Sequence, residues 1–288
     1  MPQPPRKRPF FESQPARKRP FQKPFAAKKQ ARPDGEKGWD QVAAWYDKLV
    51  GDGGSDYHRH VVLPATMRLL EPKPGERFLD LCCGQGVLVP LLLESKAAQV
   101  TALDASPRLI EAAKSRLSQD RRVSFVVDDA TVAGAWADGS YDGVTCLMAV
   151  HDVADLDGLA KAVAASLKPG GRFVAVFMHP CFRIPQQTHW GWDEGRKLQF
   201  RRIDRYGVHL DIPIKTHPGQ GGGDTTLFHH RPLGEVLTAF GKAGLGIRVC
   251  EELYSHRRSQ AGGSRSRGEH RAAAEFPVFL ALEALKLS

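Results

Sequence analysis

A chain of 288 residues with 42% hydrophobic and 25% charged residues has the composition of an ordinary globular protein, large enough for one large domain or two small ones. No run of eighteen apolar residues occurs, which excludes a membrane-spanning helix. The net charge of +9 is held unevenly: residues 1–38 carry eleven Lys/Arg against three acids, so the remainder is close to neutral.

That first segment reads Arg-Lys-Arg-Pro-Phe at 6–10 and again at 17–21, then Lys-Pro-Phe at 23–25. So much proline and charge neither forms a helix nor buries a core, and a disordered basic tail over 1–38 ahead of a domain at 39–288 is expected. It reads either as a solubilising extension or as a nucleic-acid tether. In the second case Lys/Arg neutralise phosphates while Phe10, Phe11, Phe21 and Phe25 stack on unpaired bases. A nuclear or organelle address also fits, whereas the apolar stretch of a secretory signal is missing. Five cysteines without C-x-x-C spacing suit reduced thiols and a cytoplasmic protein. Adjacent His229 and His230 suit two ligands of one ion poorly, and no metal site is expected.

From residue 39 the pattern becomes globular. Trp39–Val50 is a short amphipathic helix, and a second helix lies near 58–70. Strand patterns follow at Arg77–Leu81, Gln99–Leu103, Val123–Val127, Gly143–Ala149 and Arg172–Met178, with helices between them. One helix starts at Ser106 as N-cap with Pro107 in its first turn, burying Leu109, Ile110, Ala113 and Leu117. Another buries Leu156, Leu159, Val163 and Leu167 and stops at Pro169-Gly170-Gly171. Five strands alternating with helices predict an α/β fold, a parallel sheet covered on both faces. Residues 181–230 break the rhythm with alternating stretches near 198–206 and 208–215, as an inserted lid or β-ribbon after the fifth strand would. A helix at 232–243 and strands at 246–253 and 276–284 close the chain, with a Gly/Ser/Arg-rich loop at 256–271.

In such a sheet ligands collect at the carboxyl ends of the strands. The first strand ends in Asp80 and turns through Cys82-Cys83-Gly84-Gln85-Gly86 into a helix near Val87, a loop in which glycines admit a close ligand. The second strand ends in Asp104, where a carboxylate can accept both hydroxyls of a ribose. Nicotinamide dinucleotides need G-x-G-x-x-G, but Cys82 takes the first glycine position and the third is apolar. Asp80 would also repel a pyrophosphate, yet suits the ammonium of an amino-acid cofactor.

Phe-Leu-Asp-Leu-Cys-Cys-Gly-Gln-Gly, Thr-Ala-Leu-Asp-Ala-Ser, Val-Val-Asp-Asp-Ala, the segment Tyr141–Val153 and Leu-Lys-Pro-Gly-Gly-Arg-Phe-Val-Ala-Val follow one another in the order of class I S-adenosylmethionine methyltransferase motifs. Over residues 39–180, and again near 229–245 and 276–286, the chain resembles that family, and its glycine loop is similar to that of ubiquinone/menaquinone methyltransferases. The resemblance implies a Rossmann-like sheet of seven mostly parallel strands with an antiparallel terminal pair, and S-adenosylmethionine as cofactor. It assigns Asp80 to the methionine ammonium, Gly84 and Gly86 to the loop around the cofactor, and Asp104 to the ribose. Ala105 then packs near the adenine, Asp129 and the Ala130 amide meet its amino group, and Cys146 and Leu147 border the sulfonium. Cys82 departs from the family's usual glycine. Tyr46 would cover the methionine moiety, with Tyr57 and His58 at the same entrance. Asp142 is read as a brace of its strand.

Methyl transfer needs alignment of acceptor and methyl, and a base only when the acceptor must lose a proton. His151, beyond the fourth strand, and His179, beyond the fifth, are the candidate bases or acceptor contacts. Neither the tetrad of base-amine methyltransferases nor the paired cysteines of cytosine enzymes is present. The leading expectation is therefore transfer to a small-molecule acceptor. Trp190, Trp192, Phe200 and Tyr206 of the insert are candidate acceptor walls, and Arg201, Arg202 and Arg205 either favour an anionic acceptor or form a solvated face. An RNA or ribosome-associated methyltransferase recruited by the tail is the alternative. A cofactor-binding scaffold without catalysis is a third reading, disfavoured by the three acidic cofactor positions.

Overall fold

The computed structural model describes residues 38–215, 225–258 and 262–288. Residues 1–37, where the basic tail was expected, lie outside the described residues.

Five short runs form parallel strands: β1 (Arg77–Leu81), β2 (Gln99–Asp104), β3 (Val123–Val127), β4 (Tyr141–Leu147) and β5 (Leu167–Met178). Two further strands, β10 (Leu245–Leu253) and β11 (Phe279–Lys286), complete the sheet in the order β3-β2-β1-β4-β5-β11-β10. β11 runs antiparallel to both of its neighbours. The order reverses between β1 and β4, which opens a crevice at the carboxyl ends of those strands.

Alternation along each strand explains why helices flank both faces. Leu79, Leu81, Val144, Cys146, Phe173 and Ala175 point into one core, together with α5 (Leu156–Ser166) and α6 (Leu233–Lys242). Phe78, Val100, Ala102, Val174 and Val176 point into the other, with α2 (Leu63–Leu70), α3 (Val89–Glu94) and α4 (Pro107–Leu117). Hydrophobic side chains on both faces require two cores, as in buried parallel sheets. Asp142 braces its strand as expected: Oδ2 accepts from the Arg77 amide at 2.9 Å and Oδ1 from Lys168 Nζ at 2.6 Å.

The first helix, α1 (Trp39–Val50), covers the expected residues. The second expected helix divides into a π-helical turn (His58–Val62) and α2. α4 begins as its sequence indicates, with Ser106 Oγ accepting from the Leu109 amide at 3.2 Å. α3 begins at Val89, two residues later than expected. α5 ends at Ser166, because the Lys-Pro-Gly-Gly segment joins the bulged start of β5 instead of ending the helix.

The insert holds two antiparallel ribbons, β6 (Thr188–Asp193) with β7 (Leu198–Ile203), and β8 (Leu210–Lys215) with β9 (Thr225–His230). The alternating stretches near 198–206 and 208–215 contain β7 and β8, whereas β6 and β9 were not expected from the sequence. The Gly/Ser/Arg-rich stretch expected as a loop is, from Gly263 to Glu275, the helix α7. Ion pairs four residues apart support it, Arg265–Glu269 at 3.2 Å and Arg271–Glu275 at 2.6 Å. Its inner face packs on β7 and buries Ala272. Gly268 makes the packing possible: a Cβ there would lie 2.6 Å from the Trp192 ring and 3.0 Å from the Lys197 carbonyl. The sequence composition misleads because Gly268 serves contact with Trp192 and not chain freedom.

Gly268→Val should destabilise the protein by about 1–3 kcal/mol, as overpacking does. Urea unfolding followed by tryptophan fluorescence checks this, and an unchanged midpoint would refute the Trp192 contact.

Candidate active site at the carboxyl edge of the sheet

At the end of β1 the backbone turns sharply. Cys82 adopts φ +54°, a left-handed conformation that costs a non-glycine residue about 1–2 kcal/mol. This is why glycine is the usual residue there. Its thiol packs against Cys146, and the hydrogen bond between them, reinforced by burial, holds the Cys82 thiol well above its usual range. The Cys83 amide ties the loop to β2 by donating to the Leu103 carbonyl at 2.9 Å. Gly86 has φ +81°, and a Cβ there would meet Leu117 Cδ1 at 2.8 Å, so this glycine lets α4 pack beneath the loop.

Asp104, at the end of β2, fixes the loop from the other side. Its Oδ2 accepts from the Gly84 amide at 2.9 Å and its Oδ1 from the Ser106 amide at 2.8 Å. Ser106 Oγ in turn donates to Asp40 Oδ1 at 2.7 Å, and the same oxygen accepts from the Arg108 amide at 3.0 Å. A residue of α1 thereby caps α4, where an anion is favoured by the helix dipole. The docking brings Tyr46 over the loop, with Cε1 3.5 Å from the position a Gly84 Cβ would occupy. Trp39 steadies Tyr46 edge-on, ring centroids 5.1 Å apart.

Tyr46, His58, Asp80, Gly84, Gln85 and Leu147 line a cleft of about 310 Å³, part of it open to solvent. Asp80 is buried and accepts from Thr145 Oγ1 at 2.7 Å. Burial pushes its carboxyl up to about 7, against the lowering effect of Thr145 and with a smaller raising effect from Asp104. Burial also raises Asp104, although its backbone donors oppose the shift. Gln85, which the sequence reading passed over, is 2% exposed, and its Nε2 has no hydrogen-bond partner among the described residues. Leu147 borders the cleft above the fully buried Cys146. Ala105 is exposed beside Asp104, and Ala130 is buried. Asp129 Oδ1 accepts from the Thr131 amide at 3.0 Å and Thr131 Oγ1 at 2.8 Å, which orders the turn after β3.

A second cavity, of about 280 Å³ with part open to solvent, lies beyond the ends of β4 and β5 and is walled by β9. Val150, His151, Phe177, Met178, Phe228 and Arg231 are among its lining residues. The His151 ring rests on Phe228, centroids 4.8 Å apart, and its Nδ1 is buried without a partner among the described residues. Burial, with a contribution from His229, drives this imidazole down to about 3. Next to it Asp152 is held well above the carboxylate range by burial, with Oδ2 3.9 Å from His151 Nε2. Burial raises the Tyr46 hydroxyl, with a smaller contribution from the charge of Asp152.

His179 takes a different position from the one its strand end suggested. Its Nδ1 accepts from the Cys181 amide at 3.1 Å and its Nε2 donates to Glu252 Oε1 at 3.2 Å. Both nitrogens are occupied and the ring lines neither cavity, so His179 braces the chain as it leaves β5. The insert's aromatics also depart from expectation. Trp190 stacks edge-on with Phe276 and under Arg201, and Trp192 packs on α7, while Tyr206 accepts from the Leu233 amide. The cavity walls come instead from Phe177 and Phe228. Arg201 is held by the Phe182 carbonyl and Thr188, and Arg202 pairs with Asp204.

Comparison with known proteins bears directly on this geometry. Residues 78–171 match the methyltransferase domain family, covering β1 through the bulged start of β5. A solved S-adenosylmethionine dependent methyltransferase from Mesorhizobium loti is 28% identical, with a TM-score of 0.61 over 77% of this chain and 96% of that one. The chain carries a class I methyltransferase domain. A demethylmenaquinone methyltransferase of Clavibacter sepedonicus is 37% identical to this domain over 143 residues, which are 47% of this chain and 54% of the relative. A ubiquinone biosynthesis O-methyltransferase of Xanthomonas campestris is 32% identical over 150 residues, 51% of this chain and 61% of the relative. The matched part thus spans little more than half the length of these relatives. The domain is S-adenosylmethionine-dependent, with a seven-stranded, mostly parallel Rossmann-like sheet. No helix among the described residues is long and apolar enough to cross a membrane.

Because the folded protein holds the Asp80 carboxyl near 7 against 3.8 unperturbed, folding favours its protonated form. The stability this gives is full below about pH 4 and is lost as pH rises through about 7. Asp80→Asn, which keeps an acceptor for Thr145, should therefore gain on the parent protein as pH rises from 4 to 8, by a few kcal/mol. Urea unfolding at both pH values measures the gain, and a pH-independent difference would show that Asp80 is not desolvated.

Proposed function

We propose that this protein transfers the methyl group of S-adenosylmethionine to a small-molecule acceptor seated in the cavity beneath the β8–β9 ribbon. The adjacency of the two cavities carries this reading. Leu147 lines the first and Val150 the second, so they are at most about 11 Å of chain apart. The family match ends at residue 171, before the insert that walls this cavity, so the names of the quinone-pathway relatives support a small-molecule acceptor without fixing which one.

The residues of the first cleft suit the cofactor. Asp80, one of whose oxygens is taken by Thr145, would receive the methionine ammonium, and the unpartnered Gln85 Nε2 is a donor for the methionine carboxylate. Asp104 would bind the ribose with the lone pairs left by Gly84 and Ser106, while Ala105, Asp129 and Ala130 border the adenine. Tyr46 covers the methionine portion, Cys82 and Gly86 shape the loop, and Cys146 and Leu147 back the sulfonium. Bound there, the sulfonium presents an electrophilic methyl to whatever the neighbouring cavity positions in line. In that cavity burial keeps His151 neutral at physiological pH, and its unpartnered Nδ1 can accept a hydrogen bond that orients the methyl acceptor.

Calorimetry with S-adenosylmethionine should show an affinity that rises with pH through about 7, because the ammonium binds ionised Asp80, until the ammonium itself deprotonates. Asp104→Ala should weaken binding at least about tenfold, the loss of a charged hydrogen-bond partner; equal affinity would refute the cleft assignment. Labelled S-adenosylmethionine offered a small-molecule extract and total RNA should label the extract, and label confined to RNA would overturn the acceptor class. His151→Ala should lower transfer while leaving cofactor affinity intact.

A further inference from the structure

Outside both cavities, Asp56, His60 and His256 converge on one spot of the surface. Asp56 and His60 are four residues apart on the helical segment that enters α2, so they share a face. His256 comes from the chain after β10, which Tyr57 holds in place. The Tyr57 hydroxyl shares a hydrogen bond of 3.0 Å with Ser255 Oγ, and its ring meets that of His256 edge-on at 5.2 Å. His60 Nδ1 lies 3.2 Å from Asp56 Oδ1, and His256 Nε2 lies 3.0 Å from Asp56 Oδ2. All three ligand atoms are within 4.8 Å of one another, and the two imidazoles stack with centroids 4.7 Å apart.

Ligands of a zinc-sized ion, each at about 2.0–2.2 Å, stand roughly 3.0–3.5 Å from one another. Both N···O separations already meet that requirement; the two ring nitrogens need to draw together, and His60 Nδ1 must release its 2.9 Å hydrogen bond with the Asp56 carbonyl oxygen. Two imidazoles and a carboxylate select a zinc-type ion over magnesium or calcium, which prefer all-oxygen shells. The side chains are 55%, 36% and 27% exposed for His60, Asp56 and His256, which leaves coordination positions for water. Arg257 Nε also contacts Asp56 Oδ2, at 2.7 Å, and so competes with an ion. That guanidinium has a second partner, the Tyr57 ring 4.8 Å away, on which it can remain after releasing Asp56.

We propose that Asp56, His60 and His256 bind a divalent transition-metal ion of the zinc type. The ion ties the segment after β10 to the turn that carries His58, a residue of the cofactor cleft, and so stiffens one wall of that cleft. The sequence expectation of no metal weighed only the neighbouring histidines 229 and 230; this set joins residues from opposite ends of the domain.

The test uses the full chain, stripped with a chelator and titrated with zinc chloride against a chromophoric competitor. One equivalent should bind, and His60→Ala and His256→Ala should each weaken it by at least about tenfold, since even indirect partners of a metal ligand cost that much. Zinc should raise the melting temperature of the parent protein and not of the variants. Absence of binding, or binding unchanged in both variants because the ion sits elsewhere, would overturn the proposal. Titration of the same samples with S-adenosylmethionine keeps this outcome separate from the methyl-transfer reading, because neither histidine lines the cofactor cleft.

Discussion

Two oxygens of one carboxylate organise the cofactor side of this molecule. Asp104 receives the Gly84 amide on one oxygen and the Ser106 amide on the other, so the loop after β1 and the helix start after β2 cannot move independently. Through Ser106 the chain of hydrogen bonds continues to Asp40 on α1. That contact crosses sixty-six positions of sequence and places Tyr46 over the glycine loop. Three elements thus share one capping arrangement, and the cleft inherits its shape from the end of a helix.

The same edge of the sheet collects acids in an unfavourable setting. Asp80, Asp104 and Asp152 are all pushed up by burial, and no basic side chain pairs with Asp80 or Asp104 among the described residues. A fold optimised only for stability would avoid this, because a desolvated carboxylate costs free energy that Thr145 and the backbone amides return only in part. Clustering of such groups in a cleft is what a site awaiting a cationic ligand requires. The neutral His151 and the orphaned amide of Gln85 extend that pattern toward the second cavity.

On the other side of the crevice, shape comes from the insert. β9 supplies Phe228 and the His229 amide, which donates to the His151 carbonyl and fastens the ribbon to the end of β4. The tryptophans nearby look like substrate walls when read as composition. In the fold they glue the first ribbon to α7, a helix whose glycine and arginine content hides it. Aromatic residues in an insert therefore divide between packing and lining, and only their neighbours decide which.

Short apolar runs bounded by turn residues were enough to locate five parallel strands, because the inner ones bury both faces and so admit few polar residues. The Ser106-Pro107 start of α4 was legible because a helix cap is local, set within a few residues of chain. Sequence alone missed α7, β6 and β9, whose stability depends on partners far along the chain. It also placed His179 and His151 on equal terms. Only tertiary structure separated them, by giving one ring two hydrogen bonds and leaving the other a buried, unpaired nitrogen beside a cavity. A residue type and its position along a strand specify what chemistry is available; whether that chemistry is spent on the fold or left for a ligand depends on which groups packing brings within hydrogen-bonding distance.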